Sequence, residues 1–282
     1  MQDFAFVDET LDINLTQSYY LSIQLSLNGL SFCILDSVRE KYIAFQSKSF
    51  PKDLIFDDLL NYIEDYIDSH ELLKHKYKAT KLIWETTKNT LVPNIFFKKE
   101  NLKTYFEFNQ KLDDLDEIHY NELKYVDAYS VFVIPNLLAN VFVKRFEKIQ
   151  FYNQQSPFIE HTLFKHHSET KRILINLYEN FFDLCVTENG KLLLYNNFLY
   201  KNEMDLIYFI LYAFDQFSLE TQQTELIISG LIDRTSKSFL KLKEFIKHIR
   251  FEKLPDEFSY SYTFNQIPSH KFTNLFNLHL CE

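Results

Sequence analysis

ILINLYENFFDLCV, residues 173–186, is the stretch on which the fold turns. It reads as an apolar strand, a polar break at Tyr178-Glu179-Asn180, and a second apolar strand. An earlier stretch, LSIQLSLNGLSFCI at 21–34, repeats that plan. Aligning Leu21–Asp36 on Ile173–Glu188 gives identities at Ile23/Ile175, Leu25/Leu177, Asn28/Asn180 and Cys33/Cys185. Two apolar strands share residues easily, so the identities carry less than the order of elements that follows each stretch.

After the first stretch, YIAFQSKSF (42–50) reads as a third strand. Leu54, Phe56, Leu59, Leu60, Ile63, Tyr66 and Ile67 then fall at helical spacing. KLIWETTKNTLVP (81–93) reads as a strand and 97–108 as a helix. KLDDLDE (111–117) is a polar acidic connection, and AYSVFVIP (128–135) is a buried strand. NLLANVFVKRFEKI (136–149) is a helix with Asn136 as cap. Residues 151–169 show no clean period and contain Pro157, so they read as a connection holding at most a short helix.

The order then restarts. RILINLY and FFDLCVTE pair, Asn189-Gly190 turns the chain, and KLLLYNNFLY (191–200) is the third strand. NEMDLIYFILYAFDQFSL is a helix, ELIISG a buried strand, and RTSKSFLKLKEFIKHI a helix capped by Thr235 or Ser236. FSYSYTF (258–264) has strand period, and SHKFTNLFNLHL (269–280) is a final helix capped by Ser269. The chain therefore divides into a first domain at 1–150, a connection at 151–169 and a second domain at 170–282. Each domain is an α/β unit of order βββαβαβα. Repeats of this length are duplicated domains rather than solenoid units.

Two such units in one chain resemble the actin-like superfamily of actins, sugar kinases and chaperone ATPases. Each unit of that superfamily is ribonuclease H-like. The whole chain, from its opening FVDETLDINLTQSYYLSIQLS, also resembles an uncharacterised bacterial family with this fold. The resemblance implies three nucleotide motifs. SIQLSLNGLSF (22–32) lies at the first phosphate loop, where the superfamily has Asp-x-Gly. Ile173–Val186 lies at the second, and LIISGLIDR (226–234) at the adenosine motif, which ends in Gly-Gly.

The departures are concentrated at those motifs. Gln24 stands at the first Asp position and Ser26 at its Gly. Asn176 replaces the second Asp, and Tyr178 and Glu179 replace the residues that follow. Asp183 matches the later Asp, and Gly230 is kept beside Leu231. Glycines in phosphate loops let backbone N–H groups approach the phosphates. Gln24 and Asn176 are neutral and cannot act as general bases. The chain has only three glycines in all.

The cleft residues are thus expected to be Gln24, Ser26, Asn28, Asn176, Tyr178, Glu179, Asp183, Ser229 and Gly230. No catalytic residue, metal or cofactor is expected. The alternative is a divergent ATPase or kinase taking ATP with Mg, with Asp183, Glu179 and Asp233 as its acidic groups. A further alternative is a small polar ligand held by Gln24, Ser26, Asn28, Asn176, Asn180 and Ser229. The reading preferred is a non-catalytic scaffold that binds a protein partner or itself. Phe and Tyr number 29 and 18, a surplus that interfaces favour and that a Phe- and Tyr-rich genome also produces.

Composition narrows the rest. With 46% hydrophobic residues the chain can bury a core without metals or disulfides. A net charge of −9 argues against a nucleic-acid binder, and no stretch is dense enough in Lys and Arg to suggest a local basic patch. Cys33 and Cys185 sit in apolar strands and read as buried thiols in a reducing compartment. The first residues lack the apolar core of a signal peptide, and no apolar run spans a membrane, so a cytoplasmic protein is expected. Glu160, His161, His166 and His167 read as a solvated linker rather than a metal site, and Asp113, Asp114, Asp116 and Glu117 as a solvated connection. Trp84 reads as core, and no nucleophile elbow is present.

Overall fold

The computed structural model describes residues 3–52, 54–165 and 169–281. The chain opens with a short strand, β1 (Phe4–Val7), followed by β2 (Tyr19–Ser26), β3 (Gly29–Asp36) and β4 (Lys41–Ser49). Helix α1 (Phe56–Ser69) buries Leu59, Ile63 and Ile67 on that sheet. Its first turn carries Asp57 and Asp58, which the helix dipole favours at that end. Strand β5 (Ala79–Trp84) follows. β6 (Asn89–Pro93), α2 (Leu102–Asn109), β7 (Asp116–Leu123) and β8 (Ala128–Pro135) form an inserted unit. α3 (Asn136–Arg145), β9 (Ile149–Asn153) and α4 (Gln155–Lys165) return to the main body.

The second run comprises β10 (Arg172–Leu177), β11 (Phe181–Glu188), β12 (Lys191–Leu199) and α5 (Glu203–Gln216). β13 (Leu226–Gly230), α6 (Lys237–Phe245), β14 (Ile249–Phe251), β15 (Ser259–Tyr260) and α7 (Thr273–Asn277) complete it.

The duplication is visible in the sheets. One contains the order β4-β3-β2-β5-β9 and the other β12-β11-β10-β13-β14. In both, the first three strands are antiparallel neighbours. The fourth and fifth then add in parallel on the far side of the first. The registers correspond residue by residue. Ser26 faces Gly29 across the first hairpin, and the Tyr178 N–H donates to the Phe181 carbonyl across the second. Leu25 pairs Trp84 where Leu177 pairs Gly230.

Several local expectations are corrected. AYSVFVIP is not the fifth strand of the first sheet. It is the centre of a separate three-stranded antiparallel sheet, β6-β8-β7. The fifth strand is β9, where the helix had been expected to run on to 149. In the same way the fifth strand of the second sheet is β14, and FSYSYTF contributes only β15, parallel to β4. In both places the true strand is short, and a longer strand-like run nearby was read in its stead. KLIWETTKNTLVP is two strands in two sheets, and the acidic 111–117 run leads into β7. There Asp113 and Asp116 pair with Lys88 at 2.6 and 2.7 Å. Asn136 is the first residue of α3 and does not cap it. Ser236 does cap α6, by accepting from the Phe239 N–H. Residues 269–280 form two short 3-10 turns around α7 rather than one helix.

The largest correction concerns residues 151–169. They hold β9 and then α4, whose residues from Gln155 to Leu163 are all buried. Glu160 and His161 are therefore core residues and not a solvated linker, while His166 and His167 lie outside the described residues. Pro157 is tolerated because it lies in the first turn, where its missing N–H has no helical partner. Phe158, Ile159 and Leu163 of α4 pack on Leu174, Cys185 and Ile227 of the second sheet. Symmetrically, Leu275 and Phe276 of α7 pack on Cys33, Tyr42 and Phe45 of the first sheet. Each run's last helix thus covers the other run's sheet. The two sheets face each other across these helices, and the β2–β3 and β10–β11 hairpin tips meet at one end. Trp84, Cys33 and Cys185 are buried as expected, and so is Cys281.

Candidate functional site: the cleft between the hairpin tips

The Asn28-Gly29 and Asn189-Gly190 pairs look alike in sequence and behave differently. Asn189 and Gly190 both take positive φ, 53° and 70°, and form the two-residue turn that this pair favours. At the first tip the turn residues are Leu27 and Asn28, and neither they nor Gly29 have positive φ. Ser26 makes the bend instead: its Oγ accepts from the Asn28 N–H at 3.1 Å and donates to the Gly29 carbonyl at 3.3 Å. Leu27 and Asn28, at the turn itself, are exposed.

The second tip, Tyr178–Phe181, has the same length and a different content. The Tyr178 ring stacks on Phe181, with centroids 4.3 Å apart. Its hydroxyl donates to Asp183 Oδ2 at 3.1 Å and accepts from Asn274 Nδ2 at 2.9 Å. Asn274 also donates to the Gln154 carbonyl at 3.3 Å. The Tyr178 ring is 3% exposed. Glu179 and Asn180, at the turn itself, point to solvent.

Seven of the expected cleft residues line one cavity: Gln24, Ser26, Asn28, Asn176, Tyr178, Glu179 and Gly230. Asn180 lines it as well. Ser229 lies behind the wall, donating from Oγ to Asn176 Oδ1 at 2.7 Å. Asp183 lies behind Tyr178, fully buried, and accepts from Tyr195 at 2.8 Å as well. Asp233 sits outside the cavity on a neighbouring groove, paired with Lys271 at 2.8 Å.

The sequence reading missed Glu85, Lys271, Asn274, Gln154 and Tyr195. Glu85 directly follows β5 and accepts from Gln24 Nε2 at 2.5 Å. Its proximity to a strand end facing a crevice was the available signal, since α/β ligand sites lie beyond the carboxyl ends of strands. Asn274 and Lys271 arrive from the far end of the chain, and no local pattern announces them.

Two carboxyls set the electrostatics. Burial pushes Asp183 up to about 7, against the hydroxyls of Tyr195 and Tyr178 and the Gln154 amide, which pull it down. Burial also pushes the largely buried Glu85 up to about 7. The Gln24 amide opposes that rise, and the charges of Asp183 and Glu179 add to it. Burial holds the Tyr178 hydroxyl well above its usual range, so it is a neutral donor.

The cavity is about 80 Å³. That is room for a few waters and well below the roughly 300–1,000 Å³ of ordinary ligand pockets. Gly230 does not enlarge it. Its φ is +86°, and a Cβ there would stand 2.0 Å from the Leu177 carbonyl oxygen. The glycine serves the close approach of β13 to β10. The group that the fold would imply, a magnesium nucleotide, does not fit these residues. A buried tyrosine ring stands where the resemblance places a phosphate-cradling glycine, and Gln24 and Asn176, where it places carboxylates, offer no charge to hold a metal's waters.

Residues 8–249 match a family described as protein of unknown function, DUF3822. The chain belongs to that family. It is also similar to a Bacteroides thetaiotaomicron protein described as having an actin-like ATPase fold and unknown function. The two are 22% identical, with a TM-score of 0.82 over 97% of this chain and 100% of the other. A PilM-PilN type IV pilus biogenesis complex contains a chain that matches at 8% identity and a TM-score of 0.59, covering 93% of this chain and 97% of that one. No curated protein matches. The DUF3822 chain therefore has the actin-like ATPase fold: two ribonuclease H-like sheets related by duplication. Among the described residues no helix is long and apolar enough to cross a membrane, and no group of three or more His, Cys, Asp or Glu is placed to hold a metal ion.

Proposed function

We propose that this DUF3822 protein is a non-catalytic member of the actin-like fold, a cytoplasmic scaffold that binds a protein partner or assembles with itself. The observation that carries this reading is Tyr178. It occupies the second phosphate-loop position as part of the core, stacked on Phe181 and bonded to Asp183 and Asn274. Admitting a triphosphate would require that ring to leave, giving up two hydrogen bonds and a stacking contact, with Asp183 left buried and short of a donor. Gln24 at the first Asp position is neutral and cannot act as a base, and its amide is engaged with the Glu85 carboxyl beside it. The fold's likeness to a chain from a pilus-assembly complex agrees with a role in protein assembly.

Phosphate release from Mg-ATP and Mg-GTP by the purified chain tests the proposal, with Asp183→Asn as the paired control. The expected result is no release above that of the control. Release that Asp183→Asn abolishes while the fold persists would establish a rearranged enzyme instead.

A further inference from the structure

At the opposite pole of the first sheet, two basic stretches that are distant in sequence come together. KHKYK (74–78) leads into β5 and KRFEK (144–148) leads into β9. These strands are parallel neighbours, and the Thr80 N–H donates to the Lys148 carbonyl. Neither stretch is dense enough to stand out alone in a chain of net charge −9. Together they wall a groove of about 320 Å³, lined by His75, Lys76, Lys78, Arg145 and Lys148 with Glu147 as its one acidic residue. β2 begins beside the groove and ends at the cleft, so the two sites lie at opposite ends of one sheet.

The groove already binds carboxylates from its own chain. Arg145 grips Asp68 with a two-pronged contact, Nε to Oδ1 at 2.9 Å and Nη2 to Oδ2 at 2.8 Å, and Glu64 lies 3.7 Å away. Lys76 pairs with Glu147. Lys78 and Lys148 are exposed and have no ion-pair partner among the described residues. The Lys78 ammonium lies 4.7 Å from the Tyr20 ring centroid, a cation–π contact at the sheet end. Two unpaired cations therefore flank a concave channel whose other cations already hold carboxylates.

We propose that this groove takes an acidic, carboxylate-bearing segment of a protein partner. Its shape favours a peptide over a lipid surface. The channel is concave, and its two large side chains are withdrawn: Phe146 is buried, and Tyr77 is half-buried with its hydroxyl donated to the Leu72 carbonyl. Binding at an anionic membrane instead calls for a flat or convex basic face with apolar side chains free to insert. The proposal does not depend on the state of the cleft.

Fluorescence anisotropy of a labelled hexaglutamate peptide titrated with the full chain tests it, at low salt and again at about 0.2 M salt. Binding should weaken with salt, as exposed charge pairs do. Lys78→Glu/Lys148→Glu should weaken it by at least about tenfold. Lys191→Glu/Lys201→Glu, the same charge change on the second run, should weaken it by less than about twofold. Lys78→Arg/Lys148→Arg should keep it. Equal losses in both charge-reversed variants would overturn the proposal in favour of net charge. Absence of peptide binding would also overturn it, whether or not phosphatidylserine vesicles bind.

Discussion

The two hairpin tips that face each other across the cleft have the same length and register and opposite characters. Ser26–Gly29 is bent by a serine hydroxyl and turns Leu27 and Asn28 out to solvent. Tyr178–Phe181 is aromatic and welded into the core through Asp183 and Asn274. Duplication gave both halves the same backbone, and the residues on it have since diverged. At the position of Asp183 the first half has Ser31, a neutral residue whose hydroxyl bonds to another serine, Ser47, at 3.1 Å. At the position of Gly230 it has Trp84. A shared strand order therefore fixes where a cleft lies, and only the side chains decide whether anything fits in it.

The largest expected contrast is in pH dependence. Asp183 rises from 3.8 to about 7 on folding, so between those values the folded chain holds a proton that the unfolded chain has released. Stability should therefore fall as pH rises from about 4 to 7, by about 4 kcal/mol from this group. Asp183→Asn should reduce that slope and leave the part that Glu85 contributes, and Ser31→Ala should leave it unchanged. Urea titrations across the range would show it. An unchanged slope in Asp183→Asn would mean that Asp183 ionises normally in the fold.

Next comes the glycine comparison. Gly190 and Gly230 both have positive φ, but only Gly230 abuts a neighbouring backbone. Gly190→Ala should cost about 1–2 kcal/mol, the penalty of the left-handed conformation. Gly230→Ala should cost about 3 kcal/mol or more, because the Leu177 strand must also move. Equal costs in equilibrium unfolding would remove the packing explanation for the glycine.

The smallest contrast is between the tips themselves. Tyr178→Phe keeps the stacked ring and removes a donor from buried Asp183, a loss of about 1–3 kcal/mol. Ser26→Ala, at an exposed bend, should stay within about 0.5 kcal/mol. Similar values would show that the second tip is no more part of the core than the first.

Much of this was legible in the sequence. The period of 173–186 and its echo gave the strand–turn–strand unit, and the helices with full apolar stripes, such as α1, were read where they lie. What failed was the fifth strand of each sheet. Ile149–Asn153 and Ile249–Phe251 are too short to show a period, whereas AYSVFVIP and FSYSYTF are longer strand-like runs. α4 was missed because it is buried all round and so lacks an amphipathic stripe. At the cleft, replaced residues could be placed by alignment with the motif, but Asn274 and Gln154 could not. They reach Tyr178 and Asp183 only because each terminal helix crosses to the opposite sheet.

The central claim is that Tyr178 closes the cleft to nucleotide. Thermal unfolding with and without millimolar Mg-ATP, Mg-ADP and Mg-GTP tests it most directly. A ligand present at 100 times its dissociation constant stabilises a fold by about 2.7 kcal/mol, roughly several degrees for a chain of this size. No shift with any of the three is the result expected. A reproducible shift of several degrees that needs magnesium would contradict the claim and show that Tyr178 swings aside.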